Sequence, residues 1–175
     1  MGDRPGRVYR DAKNRLYTRK EYMRSTPQSK ITIFDMGDLK NADNFEVQLS
    51  LVAREKGQIT HNALEASRIS SNRYIQKHLG PAAYVLKCRV YPHIVLRENK
   101  MASGAGADRI SDGMRLSFGK AISLAANVKE EQKLITIGTS ASNFQVAKDA
   151  LKRASHKLPM PCRISVDKGK EILKL

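Results

Sequence analysis

The chain is organised around residues 97–120, which read RENKMASGAGADRISDGMRLSFGK. The middle of this stretch is rich in glycine and other small residues. Five cations lie in it or at its ends: Arg97, Lys100, Arg109, Arg115 and Lys120. Glycine lets a backbone approach a partner closely, but it does not hold a single conformation. The stretch therefore predicts a long, mobile, cationic loop that becomes ordered against a polyanion.

Strand-like segments flank this loop on both sides. Residues 84–96 are largely apolar, and Pro92 divides them into two strand pieces separated by a bend. Residues 121–128 are again apolar, and residues 134–138 (LITIG) are a clear strand after a turn at 129–132. These patterns predict that the loop is a hairpin connection carried by strands.

Other strands are predicted nearer the two ends of the chain. Residues 30–34 (KITIF) form a short strand, and residues 45–53 (FEVQLSLVA) alternate as a half-buried strand does. Residues 35–44 between them (DMGDLKNADN) are an acidic, turn-rich connection, and the pattern does not indicate what the acidic stretch 35–46 contacts. Residues 162–166 (CRISV) form a final strand.

Two helices complete the predicted fold. Thr60 is a candidate N-cap for a helix that runs to about residue 79 and stops at Gly80 and Pro81. Ser142, followed three residues later by Gln145, matches a capping box at the start of a second helix. This second helix has an apolar stripe with the helical period, and Pro159 ends it.

The fold class that follows is α+β, with short mixed or antiparallel strands packed against two main helices. Hydrophobic residues make up 41% of the 175 residues, which is enough for one compact domain with extensions. We expect residues 1–29 to be a basic arm and residues 30–175 to be a single domain that carries the 97–120 loop.

The charge of the chain points to an anionic partner. The formal net charge is +15, and the first 30 residues carry nine lysines and arginines against three acidic residues. Residues 31–60 are acidic instead, with three cations and five carboxylates. The overall excess of positive charge favours nucleic acid as the partner first and a membrane surface second. The acidic stretch indicates that only one face of the molecule makes this contact.

The predicted arm combines aromatic rings with cations. Tyr9, Tyr17 and Tyr22 are interleaved with basic side chains that can bind phosphate: Arg4, Arg7, Arg10, Lys13, Arg15, Arg19, Lys20 and Arg24. Arginine pairs with phosphate in a bidentate manner, and tyrosine stacks on bases or sugars. Contact with RNA is favoured over a solvated tail, because disordered tails are usually poor in tyrosine.

Three further cations of the domain are candidate RNA contacts: Arg68, Arg73 and Arg89. For the first two, on the first helix, a solvated helical face explains the charges equally well. Cations in the last turns of the second helix also suit the helix dipole without any RNA. His61 and His78 lie near the ends of the first helix and are expected to cap it or to contact RNA rather than to bind metal.

Nothing in the sequence favours an enzyme. Asp108 and Asp112 are a nearby carboxylate pair, but a mobile glycine-rich loop holds catalytic groups poorly. The segment SGAGAD lacks the GxxxxGK[ST] pattern of a phosphate-binding loop. Cys88 and Cys162 have no CxxC spacing, and Cys88 is expected to be a small buried side chain. We therefore expect no catalysis, no metal, no cofactor, and a reduced, cytoplasmic setting.

Several segments together resemble a known family. The loop sequence, RPGRVYRDAKN near the start, KITIFDMG, ALEASRISSNRYI and the Ser142 helix are similar to the universal large-subunit ribosomal protein. This protein is called L-sixteen in bacteria and L-ten-e in archaea and eukaryotes. The likeness covers essentially the whole chain. The basic arm and the end at Leu175 resemble the archaeal branch.

This resemblance implies a structural protein of the large ribosomal subunit. It implies binding to 23S-type rRNA and 5S rRNA, and contact with neighbouring ribosomal proteins. The loop would then support A-site and P-site tRNA near the peptidyl-transferase centre. Neither a membrane partner nor self-association is expected.

The loop positions that match the family pattern can be named individually. Arg97, Asn99, Lys100 and Met101 match its start, and Gly106, Ala107, Asp108 and Arg109 match its tip. Its end is matched by Gly113, Met114, Arg115, Phe118, Gly119 and Lys120.

The chain departs from the family pattern just after the loop, at Ala121, Ser123 and Asn127, where proline, glycine and arginine are expected. These departures predict a less rigid loop exit and call one phosphate contact into question. The alternative function is an architectural nucleic-acid-binding protein outside the ribosome, which would bind free duplex.

Overall fold

The computed structural model describes residues 4–10, 16–102 and 104–172. Its elements, in chain order, are α1 (Arg7–Arg10), β1 (Asp35–Gly37), β2 (Val47–Ala53), β3 (Gly57–Thr60), α2 (His61–Leu79), β4 (Tyr84–Cys88), β5 (Ile94–Glu98), α3 (Ala107–Ile110), β6 (Lys120–Val128), β7 (Lys133–Thr139), α4 (Phe144–Ser155) and β8 (Cys162–Lys168). Single 3₁₀ turns lie at Lys20–Tyr22 and Ala141–Asn143. The predicted α+β class is confirmed.

Two antiparallel sheets build the domain. The larger has the strand order β1-β4-β7-β2-β8, and the smaller has the order β3-β6-β5. Pro92 separates β4 from β5, and the two strand pieces predicted on either side of it belong to different sheets. The bend therefore takes the chain from the core sheet to the sheet that carries the 97–120 loop.

The strand β2 is more buried than its alternating pattern predicted. Val47, Leu49 and Leu51 lie in the core, and Ser50 on the opposite face is also fully buried. The Ser50 hydroxyl group donates to the Asp167 carboxylate at 2.6 Å and lies 3.1 Å from the Thr136 hydroxyl. Because β7 and β8 pair on both sides and satisfy this hydroxyl group, a polar residue is tolerated inside.

The helices α2 and α4 pack against each other and against the core face of the larger sheet. The helix α4 buries Ala147, Ala150, Leu151 and Ala154, which are members of the predicted stripe. On α2, Ser67 and Ser71 are fully buried, and their hydroxyl groups donate to the backbone carbonyls of Leu64 and Ser67, each at 2.8 Å. These small side chains allow close packing without leaving a polar group unsatisfied.

Several predicted boundaries are wrong. Residues 30–34 form no strand, although Ile31 is buried, and regular pairing begins only at Asp35, opposite Lys87. The strand β1 therefore lies inside the stretch expected to be a turn-rich connection. The four-residue strand β3 was not predicted, because a run as short as GQIT carries no clear period.

The two predicted helix caps had different outcomes. The Thr60 hydroxyl group accepts the Ala63 N–H at 3.3 Å, and Gly80 follows the helix with φ of 77°. The predicted capping box is wrong. The helix α4 begins at Phe144 after Asn143, whose side chain makes no cap hydrogen bond, and Ser142 lies in the preceding 3₁₀ turn.

Alanine substitutions test this difference. We expect Thr60→Ala to lower the free energy of unfolding by about 1 kcal/mol, because an N-cap acceptor is lost. We expect Ser142→Ala to leave it almost unchanged, since no helix N–H depends on that hydroxyl group. Urea unfolding of both variants measures the difference, and Thr60→Ser is the control that keeps the cap. Equal losses at Thr60 and Ser142 would contradict the assignment.

Candidate nucleic-acid interface

The 97–120 loop leaves and rejoins the smaller sheet at one point. The strands β5 and β6 are antiparallel, and their last pair before the loop is Glu98 opposite Lys120. At Gly119 a side chain is excluded, because an ideal Cβ would lie 2.6 Å from the Asn99 nitrogen and 2.7 Å from the Glu98 nitrogen. The Asn99 side-chain amide donates to the Gly113 carbonyl at 3.3 Å. The loop thus has a tightly closed base.

From its base outward, the loop exposes cations and apolar side chains to solvent. Lys100, Arg109, Arg115 and Lys120 are exposed, and none of the four forms a side-chain ion pair with a described residue. Large apolar side chains of the loop are exposed as well: Met101, Ile110, Met114, Leu116 and Phe118. A surface that combines free cations with exposed apolar groups suits a partner that offers phosphates and flat bases.

Arg97 differs from the other loop cations because it lies close to two aromatic rings. Its guanidinium carbon lies 3.9 Å from the centre of the Phe118 ring and 5.8 Å from that of Tyr17. The two rings meet edge to face with 6.0 Å between their centres. The Arg97 Nε atom is buried and has no hydrogen-bond partner among the described residues. Arg97 therefore ties the base of the loop to the arm.

The Arg97 cluster predicts that arginine and lysine are not equivalent here. We expect Arg97→Lys to lower the free energy of unfolding by about 1 kcal/mol, because lysine keeps the charge but loses planar stacking on Phe118 and Tyr17. Arg109→Lys is the matched control, since Arg109 is exposed and has no described ring contact. Chemical unfolding measures both. The same stability for both variants would contradict a structural role for Arg97.

Part of the predicted arm lies on the domain. The Val95 N–H donates to the Tyr17 carbonyl at 2.8 Å, which adds a single antiparallel bridge to the outer edge of β5. Arg4 forms an ion pair with Glu98, and the Arg10 Nε group donates to the Pro159 carbonyl at 3.0 Å. The contacts of Tyr17 and Arg4 bring the arm to the base of the loop, and that of Arg10 holds it against the segment that follows α4.

The other predicted arm residues vary in their surroundings. Arg19 pairs with Glu21 and lies 4.4 Å from the centre of the Tyr22 ring. Arg7 and Arg24 are exposed, and Lys20 is half-buried in its 3₁₀ turn. Lys13 and Arg15 lie outside the described residues.

Three predicted RNA contacts lie on the domain itself, away from the loop. Arg68 pairs with Glu65 through contacts of 2.5 and 2.8 Å, and its side chain is only 13% exposed. Arg73, one turn and a half further along α2, is exposed. Arg89 is exposed too, and it donates to the Thr136 hydroxyl at 3.3 Å. Arg73 and Arg89 are thus accessible, whereas the charge of Arg68 is already compensated.

The histidines of α2 have separate environments. His61 is buried, and its Nδ1 atom accepts the Lys30 N–H at 2.9 Å. His78 is exposed, and its ring centre lies 4.5 Å from that of Tyr74. In the described part of the chain, no three His, Cys, Asp or Glu residues are grouped so that they could hold a metal ion.

The cysteines are placed as inert side chains. Cys88 packs against the core, and burial raises the pKa of its thiol to about 12. Burial also raises the pKa of Cys162 to about 11. Both groups are therefore thiols rather than thiolates at neutral pH, and a thiol is a poor nucleophile.

The residues after the loop that depart from the family pattern all lie in β6. Ala121 pairs with Arg97, Ser123 with Leu96, and Asn127 with Gln58 of β3.

None of the described helices combines the length and apolar character needed to cross a bilayer.

A basic α+β domain that mounts an exposed cationic hairpin loop belongs to the class of nucleic-acid-binding proteins. Residues 12–165 match the family model described as ribosomal protein L16p/L10e, so the chain belongs to this family. It is a ribosomal protein with a structural role rather than an enzyme, bound to ribosomes in the cytoplasm.

Similar proteins cover the chain almost end to end. A Methanococcus maripaludis protein named large ribosomal subunit protein uL16 is 54% identical over 99% of both chains. Proteins of the same name from Methanocella arvoryzae and Archaeoglobus fulgidus are 51% and 48% identical. These two alignments cover 99% of this chain and 100% and 98% of the relatives, respectively. The predicted archaeal branch of the family is thus confirmed.

Proposed function

We propose that this chain is built into the large ribosomal subunit, where it binds 23S-type and 5S rRNA. The 97–120 loop would support A-site and P-site tRNA near the peptidyl-transferase centre, and neighbouring ribosomal proteins would complete its surroundings. The names of the archaeal relatives support the location in the large subunit. The geometry of the loop supports its role as the contact with RNA.

The observation that carries this proposal is the contrast between the base of the loop and its outer part. The base is closed by the Glu98–Lys120 pair, the close approach at Gly119 and the stacked Arg97. The outer part leaves Lys100, Arg109 and Arg115 exposed. A fixed base directs the loop, and free cations beyond it are available for phosphate contacts with a strong dependence on salt.

The uncharged exposed residues support RNA as the partner of the loop. Met101, Met114 and Phe118 are 53%, 70% and 68% exposed, and they stand among the cations. Nucleotides in single-stranded or splayed RNA present flat apolar faces beside their phosphates, and aromatic side chains stack on them. In the described part of the arm, Arg4 reaches Glu98 at the base of the loop.

Sucrose-gradient fractionation tests the location. We expect the full chain to co-migrate in stoichiometric amount with the large subunit and to remain there at high salt. A protein that binds nucleic acid loosely would be released under these conditions, because its phosphate contacts are screened. Recovery only at the top of the gradient would overturn the proposed function.

A further inference from the structure

A second cationic surface lies between the C-terminal half of α2 and the last turns of α4. We call it the α2–α4 groove and define it by six of its lining residues: Arg73, Tyr74, Lys77, His78, Arg153 and Lys157. Four of them are permanent cations, and none of the described residues that line the groove carries a carboxylate. Its charge is therefore of one sign.

The cations of this groove are not neutralised by carboxylates of the fold. Among the described residues, no carboxylate forms an ion pair with Arg73, Lys77, Arg153 or Lys157. Some exposed cations elsewhere on the domain do have such partners: Lys133 pairs with Asp167, and Arg163 with Glu131. An uncompensated cluster of four cations destabilises the isolated protein through repulsion, which an anionic partner would relieve.

The helix dipoles account for only part of the cluster. Lys77 lies in the last turn of α2 and Arg153 in the last turn of α4, where positive charge is favoured. Arg73 lies two turns before the end of α2, outside the reach of the dipole. Arg153 stacks on the Tyr74 ring, with 4.2 Å from its guanidinium carbon to the ring centre. The dipoles therefore account neither for the position of Arg73 nor for the stacking of Arg153.

The stack prepares Arg153 for a phosphate. The Tyr74 ring contacts both the guanidinium group of Arg153 and the His78 ring, whose centre lies 4.5 Å from that of Tyr74. A guanidinium group held flat on a ring loses less conformational entropy when it binds, and it can form two parallel hydrogen bonds to one phosphate. Arg153 nevertheless remains exposed.

We propose that the α2–α4 groove binds the phosphate backbone of a second RNA segment, distinct from the one that contacts the loop. The inference rests on the proposed function and deepens it. RNA is the proposed occupant because four cations spread over two helices suit a continuous run of phosphates. A protein occupant is an outcome that the crosslink described below would reveal. The backbone of an RNA helix needs only spaced cations.

The groove is separated from the base of the loop by most of α2. Lys100 lies with His61 and Asn62 around a cleft at the N-terminus of this helix, whereas Arg73 and Lys77 lie near its other end. A helix rises 1.5 Å per residue, so the two surfaces are about 20 Å apart. The protein would thus hold two RNA segments at a fixed separation, and each contact would strengthen the other through effective concentration.

Salt titration of RNA binding tests the groove. The probe is an in vitro transcript of the large-subunit rRNA, and the test variant replaces Arg73, Lys77, Arg153 and Lys157 by glutamine. We expect the slope of log affinity against log salt concentration to become shallower by about 3, because each lost phosphate contact removes about 0.7–0.9 from it. The matched control replaces Lys40, Lys56, Lys129 and Lys170, which removes the same charge from other exposed positions.

A second variant guards against misfolding. This variant combines Arg73→Gln, Lys77→Gln and Lys157→Gln and leaves the Arg153–Tyr74 stack intact. We expect its slope of log affinity against log salt concentration to be shallower than that of the wild type by about 2. If the groove variants have the slope of the matched control, the groove proposal is overturned.

The same titration separates this inference from the proposed function. A variant with Lys100, Arg109 and Arg115 replaced by glutamine reports on the loop alone. A wild-type slope for the loop variant, with a shallower slope for the groove variants, would contradict the loop contact and keep the groove. The reverse pattern would keep the proposed function and overturn the groove.

A photo-crosslink identifies the occupant. Ile69 is 47% exposed and lines the groove, so p-benzoylphenylalanine at this position samples whatever lies there. In large subunits purified from cells whose own copy is replaced by this variant, we expect crosslinks to rRNA. Crosslinks to protein alone would overturn the proposal in favour of a protein interface.

Discussion

Large subunits that carry glutamine at Lys100, Arg109 and Arg115 are expected to bind A-site tRNA about a hundredfold more weakly than the wild type. The estimate assigns about 1 kcal/mol to each of the three lost contacts, and every 1.4 kcal/mol is tenfold in affinity. The isolated protein should unfold at the same urea concentration as the wild type, because all three side chains are exposed. Filter binding of tRNA to purified subunits gives the affinity.

The control for this loop variant removes the same charge elsewhere, by glutamine at Lys40, Lys129 and Lys170, which are exposed outside the loop. Arg97 is left unchanged in the test variant. Its stacking on Phe118 would mix a packing defect with the loss of charge. Wild-type tRNA affinity and normal subunit assembly in the loop variant would contradict the role proposed for the loop.

Replacing Gly119 by alanine is expected to open the base of the loop and to lower the free energy of unfolding by about 2–3 kcal/mol. The added methyl group would be forced against the Glu98 and Asn99 backbone, which cannot move without breaking the pair between Glu98 and Lys120. Urea unfolding gives the loss in stability. Hydrogen exchange of the β5 and β6 amides shows where the structure opens.

Gly113→Ala is the matched control for Gly119→Ala. Gly113 has a positive φ of 59°, so alanine is strained there, but no atom lies within 4 Å of the added carbon. The loop can relieve this strain locally, and global stability should change little. Similar losses of stability in both glycine variants would show that the close approach at Gly119 is unimportant.

The sequence predicted those parts of the fold that depend on local signals. Thr60 and Gly80 define α2 because a cap and a stop act on neighbouring backbone groups. The apolar stripe of α4 can be recognised in the sequence because the period of 3.6 residues is a property of the helix itself. Strand pairing is different, since it depends on residues far apart: nothing near Pro92 indicates that β4 and β5 enter separate sheets.

In the candidate nucleic-acid interface, too, local features were predictable from the sequence and contacts between distant residues were not. The cations of the loop are evident from composition, but the role of Arg97 depends on Tyr17 and Phe118, which approach it only in the folded chain. The pairing of Arg68 with Glu65 could have been predicted, because residues three apart on a helix are neighbours. The α2–α4 groove required knowledge of how two helices pack, since its cations come from both.

The bridge between Tyr17 and Val95 has a consequence for solubility. The strand β5 lies at the edge of the smaller sheet, and an uncovered edge offers unpaired N–H and C=O groups to strands of other molecules. The arm occupies part of that edge by accepting the Val95 N–H. A chain that lacks Tyr17 and the residues before it leaves this edge of β5 uncovered. Loss of the arm would therefore promote intermolecular strand pairing and aggregation.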